Sequence, residues 1–131
     1  MTKEQRAEYG IVLLRISFGV MLIAHGLILK YFTYGLDGTV GFFQSIGYPG
    51  WLAYVVFLME TVGGFMILLG VFTRWASLAM VPIMIGATMV HIGNGWVFSA
   101  EGGGWEYPVY LIVLAVAQFL LGSGPYALKR D

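Results

Sequence analysis

The sequence predicts an all-α membrane protein, a four-transmembrane-helix bundle with structured outward loops. Three observations carry that expectation. The 131 residues are 59% hydrophobic and 11% charged, with a mean hydropathy of +0.81, where an ordinary soluble domain is about 25% charged. Apolar runs recur at residues 9–29, 51–72, 75–93 and 106–121, the longer ones matching the roughly 20 residues that cross a hydrocarbon layer about 30 Å thick. The segments between them are rich in glycine, proline and aromatic residues, which suits turns and membrane-interface loops.

The length suits one domain over residues 1–131, since the connecting segments are too short to hold a second. Seven basic and seven acidic residues give zero formal charge, so the basic face that nucleic acid requires is missing. Cysteine is absent, which excludes a disulfide, a thiol relay, a cysteine-ligated cluster and covalent haem attachment by this chain. MTKEQRAEYG runs into the first apolar stretch without a small-x-small cleavage site, so that stretch reads as a retained helix.

In chain order, residues 1–8 form a charged tail that starts a short interfacial helix. The first span, 9–29, contains Arg15 and, near its far end, His25. Residues 30–50 follow, where glycines, Pro49, Asp37 and Gln44 break any long helix. Their aromatics Tyr31, Phe32, Tyr34, Phe42 and Phe43 suit an interfacial loop or a short re-entrant helix folded onto the bundle. The second span, 51–72, carries Glu60 near its centre and Gly63-Gly64 one turn later, and Thr73-Arg74 reads as the turn after it. The third, 75–93, contains Pro82, which removes an intrahelical donor and predicts a kink. The segment IGNGWVFSAEGGGWEYP, with Trp96, Glu101 and Trp105, reads as a second structured loop. The fourth span, 106–121, tolerates Pro108 in its first turn.

With four spans both termini share one side with Arg74, Lys3, Arg6, Lys129 and Arg130, and only Lys30 lies opposite. The positive-inside rule then places both termini in the cytoplasm. Gly19 and Gly26, Gly63 and Gly70, and Gly86 and Gly93 recur seven apart, where small residues let helix backbones approach.

The alternation of spans collects His25, His91, Glu106 and Glu60 in the outer half of the bundle, with Met84, Thr88 and His91 on one face of span three. A glutamate at this depth must be paired, protonated or facing a polar cavity. Glu60 therefore either fixes helix register, paired with Arg15 or a histidine, or carries protons or contacts a ligand. Arg15 either pairs inside the bundle or snorkels to the cytoplasmic face. For His25 and His91 three readings stand: loop anchors, proton-transfer groups, or ligands of haem b or, with Glu60 and Glu106, of a divalent metal. No metal motif such as HExxH is present. Glu106 equally suits the N-terminal dipole of the fourth helix. The loop aromatics form either an interface belt or a lid stacking on a quinone-like ring.

Arg15 with Gly19, HGLILK at 25–30, GFFQSIGYP, METVGGFMILLGVFTRWA at 59–76, His91, GGGWEYP and the final GSGPY resemble the DoxX family of small bacterial inner-membrane proteins over nearly the whole chain. The ending Leu128-Lys129-Arg130-Asp131 departs from the family's Leu-Asp terminus, so Asp131 receives no role. The resemblance implies a four-helix bundle and a polar cluster at Arg15, His25, Lys30, Glu60, His91 and Glu106. It also implies a place in a quinone-linked membrane oxidoreductase system. Glu60 and His91 would then exchange protons with a quinone or hold its carbonyl, and His25, Lys30, Glu106 and Arg15 would bind and orient it. A membrane or soluble redox partner would supply the electrons. The rival expectations are a non-enzymatic assembly subunit for another membrane protein and a small transporter or channel formed by an oligomer. Membrane lipid is a partner in every case, and a homodimer suits so small a bundle.

Overall fold

The computed structural model describes residues 1–95 and 104–131, and their regular elements are all helical. Helix α1 spans Lys3–Ile23 and continues without a break as a π-helix over Ala24–Thr33. Helix α2 spans Gly35–Ser45, α3 Trp51–Leu69, α4 Thr73–His91, with a 3₁₀ turn at Ile92–Asn94, and α5 Glu106–Leu121. α3 is the centre of the packing: it touches α1, the π-helix, α2 and α4, while α5 packs mainly on α4.

The first helix begins six residues before Tyr9 because Thr2 and Gln5 form a capping box. Thr2 Oγ1 accepts from the Gln5 backbone N–H at 3.1 Å, and Gln5 Oε1 accepts from the Thr2 N–H at 2.8 Å, satisfying two donors that a helix start leaves orphaned. The segment expected as an interfacial loop or a short re-entrant helix contains helix α2, packed on α3 and the π-helix. Trp96 and Glu101 of the second loop lie outside the described residues.

The expectation of four transmembrane helices is overturned. Among the described residues three helices are long and apolar enough to cross a membrane, Lys3–Thr33, Trp51–Leu69 and Thr73–His91. α5 has 16 residues, a rise of about 24 Å against a layer of about 30 Å. It cannot lengthen at its C-terminus, where Gly122 takes φ 81° and turns the chain away. The parity argument for two cytoplasmic termini loses its premise, although the terminal segments do meet: Arg130 Nη2 lies 2.8 Å from Glu8 Oε1. In each of the three long helices only 28% of the most apolar window is buried. Leu13, Val20, Leu58, Val62 and Met89 are exposed, an outer surface that suits lipid rather than water.

The turn between α3 and α4 also differs from expectation. It is made by Gly70 to Phe72, with Gly70 at φ 79° and Phe72 at φ 48°, and Thr73 and Arg74 already belong to α4. α4 runs through Pro82 without ending.

The glycine spacing is explained at the α1–α3 crossing. A Cβ on Gly19 would stand 2.9 Å from the Gly64 carbonyl oxygen and 2.8 Å from the Leu68 nitrogen, and one on Gly64 would stand 3.0 Å from the Ile23 nitrogen. These backbones touch, and only hydrogen fits between them. Gly63 makes room for the Met80 methyl at 2.8 Å, whereas Gly86 and Gly93 have no atom within 4 Å among the described residues. Gly64→Leu is therefore expected to destabilise the protein by about 1–3 kcal/mol through overpacking. Thermal unfolding in detergent checks this, with Gly93→Ala close to the parent protein.

Candidate functional site

Lys30, Glu60 and His25 are brought together by the π-helix. On an α-helix, residues five apart point about 140° away from each other, but the i→i+5 winding of a π-helix returns them to nearly one face. Lys30 Nζ thus reaches back to donate to the His25 carbonyl oxygen at 3.3 Å while lying 2.9 Å from Glu60 Oε1. Gly26 allows this segment to lie on α3, since a Cβ there would stand 2.6 Å from Thr61 Oγ1 and 3.1 Å from Glu60 Cβ. Glu60 is 3% exposed, and the Lys30 ammonium gives its carboxylate the partner that burial demands.

The remaining polar groups surround that pair. His25 Nδ1 lies 2.9 Å from the Met21 carbonyl oxygen. A carbonyl only accepts, so Nδ1 carries a proton, and Nε2 is the ring nitrogen left for the cavity. The ring stacks on Tyr107 with centroids 5.5 Å apart and planes 24° apart. Thr39, buried on α2, has its hydroxyl 3.2 Å from the Lys30 carbonyl and 2.9 Å from that of Gly35, which ties α2 to the π-helix. His91 closes α4, and its Nδ1 is buried without a hydrogen-bond partner among the described residues.

These groups line a cavity of about 840 Å³ whose other walls are largely apolar, including Leu22, Val56, Ile83, Met84 and Leu111. Of the residues singled out in the sequence, His25, Lys30, Glu60 and His91 line it, as do Tyr34, Phe42 and Phe43 from the aromatic segment. Met84 joins them, while Thr88 donates to the Met84 carbonyl at 2.8 Å. Tyr31 and Phe32 are exposed instead. Glu106 is in the first turn of α5 and does not line the cavity, which takes the next two residues, Tyr107 and Pro108.

Arg15 neither enters this cavity nor snorkels. It is 1% exposed and donates from Nη2 to the Tyr126 carbonyl at 3.2 Å, with Nη1 against Gly70. That places it at the C-terminal end of α3, where the helix dipole favours a cation. Asp131 acquires a role that the sequence did not disclose. Its carboxylate accepts from Ser123 N–H at 3.1 Å and from Arg74 N–H at 3.2 Å. Among the described residues no three of His, Cys, Asp and Glu gather closely enough to hold a metal ion.

Residues 10–93 match the DoxX family, a stretch that holds His25, Lys30, Glu60 and His91 and leaves out Glu106 and Tyr107. The chain belongs to the DoxX family. This DoxX protein is 39% identical over 80 residues, 61% of its length, to a Bacillus subtilis (strain 168) protein named "Putative oxidoreductase CatD". It spans 58% of that relative's length. No solved structure matches the chain. Family membership makes it a small multi-pass bacterial inner-membrane protein with an oxidoreductase homologue.

The ion pair makes a distinct stability prediction. Lys30→Met or Glu60→Gln alone leaves one buried charged partner unmatched and is expected to cost about 1–3 kcal/mol. The double variant is expected to recover most of the loss, which a double-mutant cycle of unfolding midpoints measures.

Proposed function

We propose that this DoxX protein is the membrane component of a quinone-linked oxidoreductase system and binds a neutral carbonyl ligand, a quinone, in the cavity between α2, α4 and α5. The observation that carries the reading is the donor count at Lys30. An ammonium has three N–H groups; among the described residues Lys30 donates one to the His25 carbonyl while its charge lies 2.9 Å from Glu60 Oε1, which leaves donor capacity for a carbonyl oxygen in the cavity. The ion pair therefore need not break when such a ligand binds. The volume of about 840 Å³ falls within the usual range for organic-ligand pockets, as does a mostly apolar wall with a few convergent polar groups.

A bound quinone would supply two-electron carbonyl chemistry coupled to two protons, with electrons from a reduced partner protein or substrate. The chain's own residues handle orientation and protons. Lys30 donates a hydrogen bond to one carbonyl oxygen, Glu60 holds the ammonium in place, and His91, whose Nδ1 has no partner among the described residues, exchanges protons on the α4 side. His25, fixed as its Nδ1-protonated tautomer by Met21 and stacked on Tyr107, offers Nε2 as the next acceptor.

The same ion pair also favours a second reading, in which Lys30 and Glu60 only set the register of the π-helix on α3 in an assembly subunit. Binding separates the two. In lipid nanodiscs the parent protein is expected to bind a benzoquinone bearing a decyl chain, and Lys30→Met and His91→Ala are each expected to weaken binding about tenfold, the loss of roughly one good hydrogen bond. A folded parent protein that binds no quinone overturns the proposal in favour of the register role.

A further inference from the structure

Gly86 has no packing explanation, and it borders the cavity. Gly19, Gly26, Gly63 and Gly64 each have a neighbour that a side chain would strike, but a Cβ on Gly86 would meet nothing within 4 Å among the described residues. Glycine inside a helix nevertheless costs about 1 kcal/mol relative to alanine. The free space lies over the cavity, which Gly86 lines.

The neighbours of Gly86 form a trough. Pro82, Gly86 and Val90 stand four apart on α4, with Ile83, Ala87 and His91 in the adjoining row, and all six line the cavity. Along α2 and its C-cap the lining residues Gly38, Phe42 and Ile46 repeat the same spacing. Pro82 on α4, Phe42 on α2 and Ile46 at its C-cap are both cavity-lining and exposed. Pro82 stands midway along a membrane-crossing helix, so the cavity opens sideways, onto the surface that faces lipid. The ion pair supplies the cavity's charged groups, and the Gly86 row lines its apolar wall.

We propose that the gap between α2 and α4 is a lateral portal, that the ligand is a neutral amphiphile entering from the bilayer, and that its hydrocarbon chain lies over Gly86 and Ala87. This inference rests on the ligand reading above and adds the tail, the route and Gly86 as the residue that selects for a chain. A headgroup without a chain uses only the ion pair. A bulky side chain at position 86 fills the trough and leaves Lys30 and Glu60 untouched.

The test compares two probes in lipid nanodiscs, a dimethoxy-methyl-benzoquinone without a chain and the same headgroup with a decyl chain. Gly86→Leu is expected to lower affinity for the decyl probe about tenfold, equivalent to roughly two buried methylenes, and to leave the bare headgroup within about threefold. Gly86→Ala is expected to raise the unfolding temperature, since alanine is the better helix former and the site has room for a methyl. Equal losses for both probes, or none for either, would overturn the portal. If the parent protein binds the two probes equally well, the chain has no site and the headgroup reading survives. If it binds neither, both readings fall.

Discussion

The contact on which the rest of the site depends is the 2.9 Å ion pair between Lys30 and Glu60. A carboxylate in the middle of a membrane-crossing helix is tolerated only with a partner, and the partner here comes from a segment wound as a π-helix. Had α1 continued with α-helical winding, Lys30 and His25 would diverge, and Lys30 could not serve Glu60 and the His25 carbonyl together. The ion pair needs the π-winding, and the winding needs Gly26 to bring it onto Glu60 and Thr61. Sequence, local geometry and electrostatics thus converge on one crossing. The α1–α3 backbone contact at Gly19 and Gly64 holds that crossing in place two turns away.

The two ends of the bundle solve the problem of buried charge differently. At the cavity end, cation and anion pair directly. At the other end the two arginines meet helix C-termini: Arg15 lies at the end of α3, and Arg74 Nε donates to the Phe119 carbonyl of α5 at 2.8 Å with its guanidinium over the Phe119 ring. Carbonyls without intrahelical partners supply partial negative charge there. The C-terminal segment completes that end, since Leu128 and Lys129 donate to the carbonyls of Leu69 and Gly70. A polar lid of backbone and arginine faces one direction, and an apolar cavity with one ion pair lies toward the other.

Much of this was legible in the sequence because hydrophobic run length and the rarity of charge carry it. The three long helices, the short helix α2 and the convergence of His25, Glu60 and His91 follow from periodicity and alternation. What escaped depends on features that periodicity does not encode. The π-winding looks like an ordinary apolar run, so Lys30 entered only by family resemblance. Glu106 was favoured over Tyr107 because charge drew attention, yet adjacent helix positions diverge by about 100° and the tyrosine is the one facing the cavity. The fourth span failed on length: an apolar composition says that a helix avoids water, and only the stop at Gly122 says how far it reaches. Arg15 is buried inside the bundle, as one of its two readings had it, but its hydrogen bond goes to the Tyr126 carbonyl and not to Glu60.

The ion pair also restricts what the cavity can hold. With Lys30 and Glu60 matched to each other, neither is spare to offset an ionic guest, and the surrounding Leu22, Val56, Ile83 and Leu111 cannot solvate one. An anion would have to draw Lys30 away from Glu60 and leave the carboxylate stranded; a cation would do the reverse. A neutral ligand with a carbonyl oxygen meets neither penalty, because it can accept from the Lys30 ammonium without separating the pair. The pair that lets a glutamate sit inside the membrane thereby selects against charge in whatever joins it there.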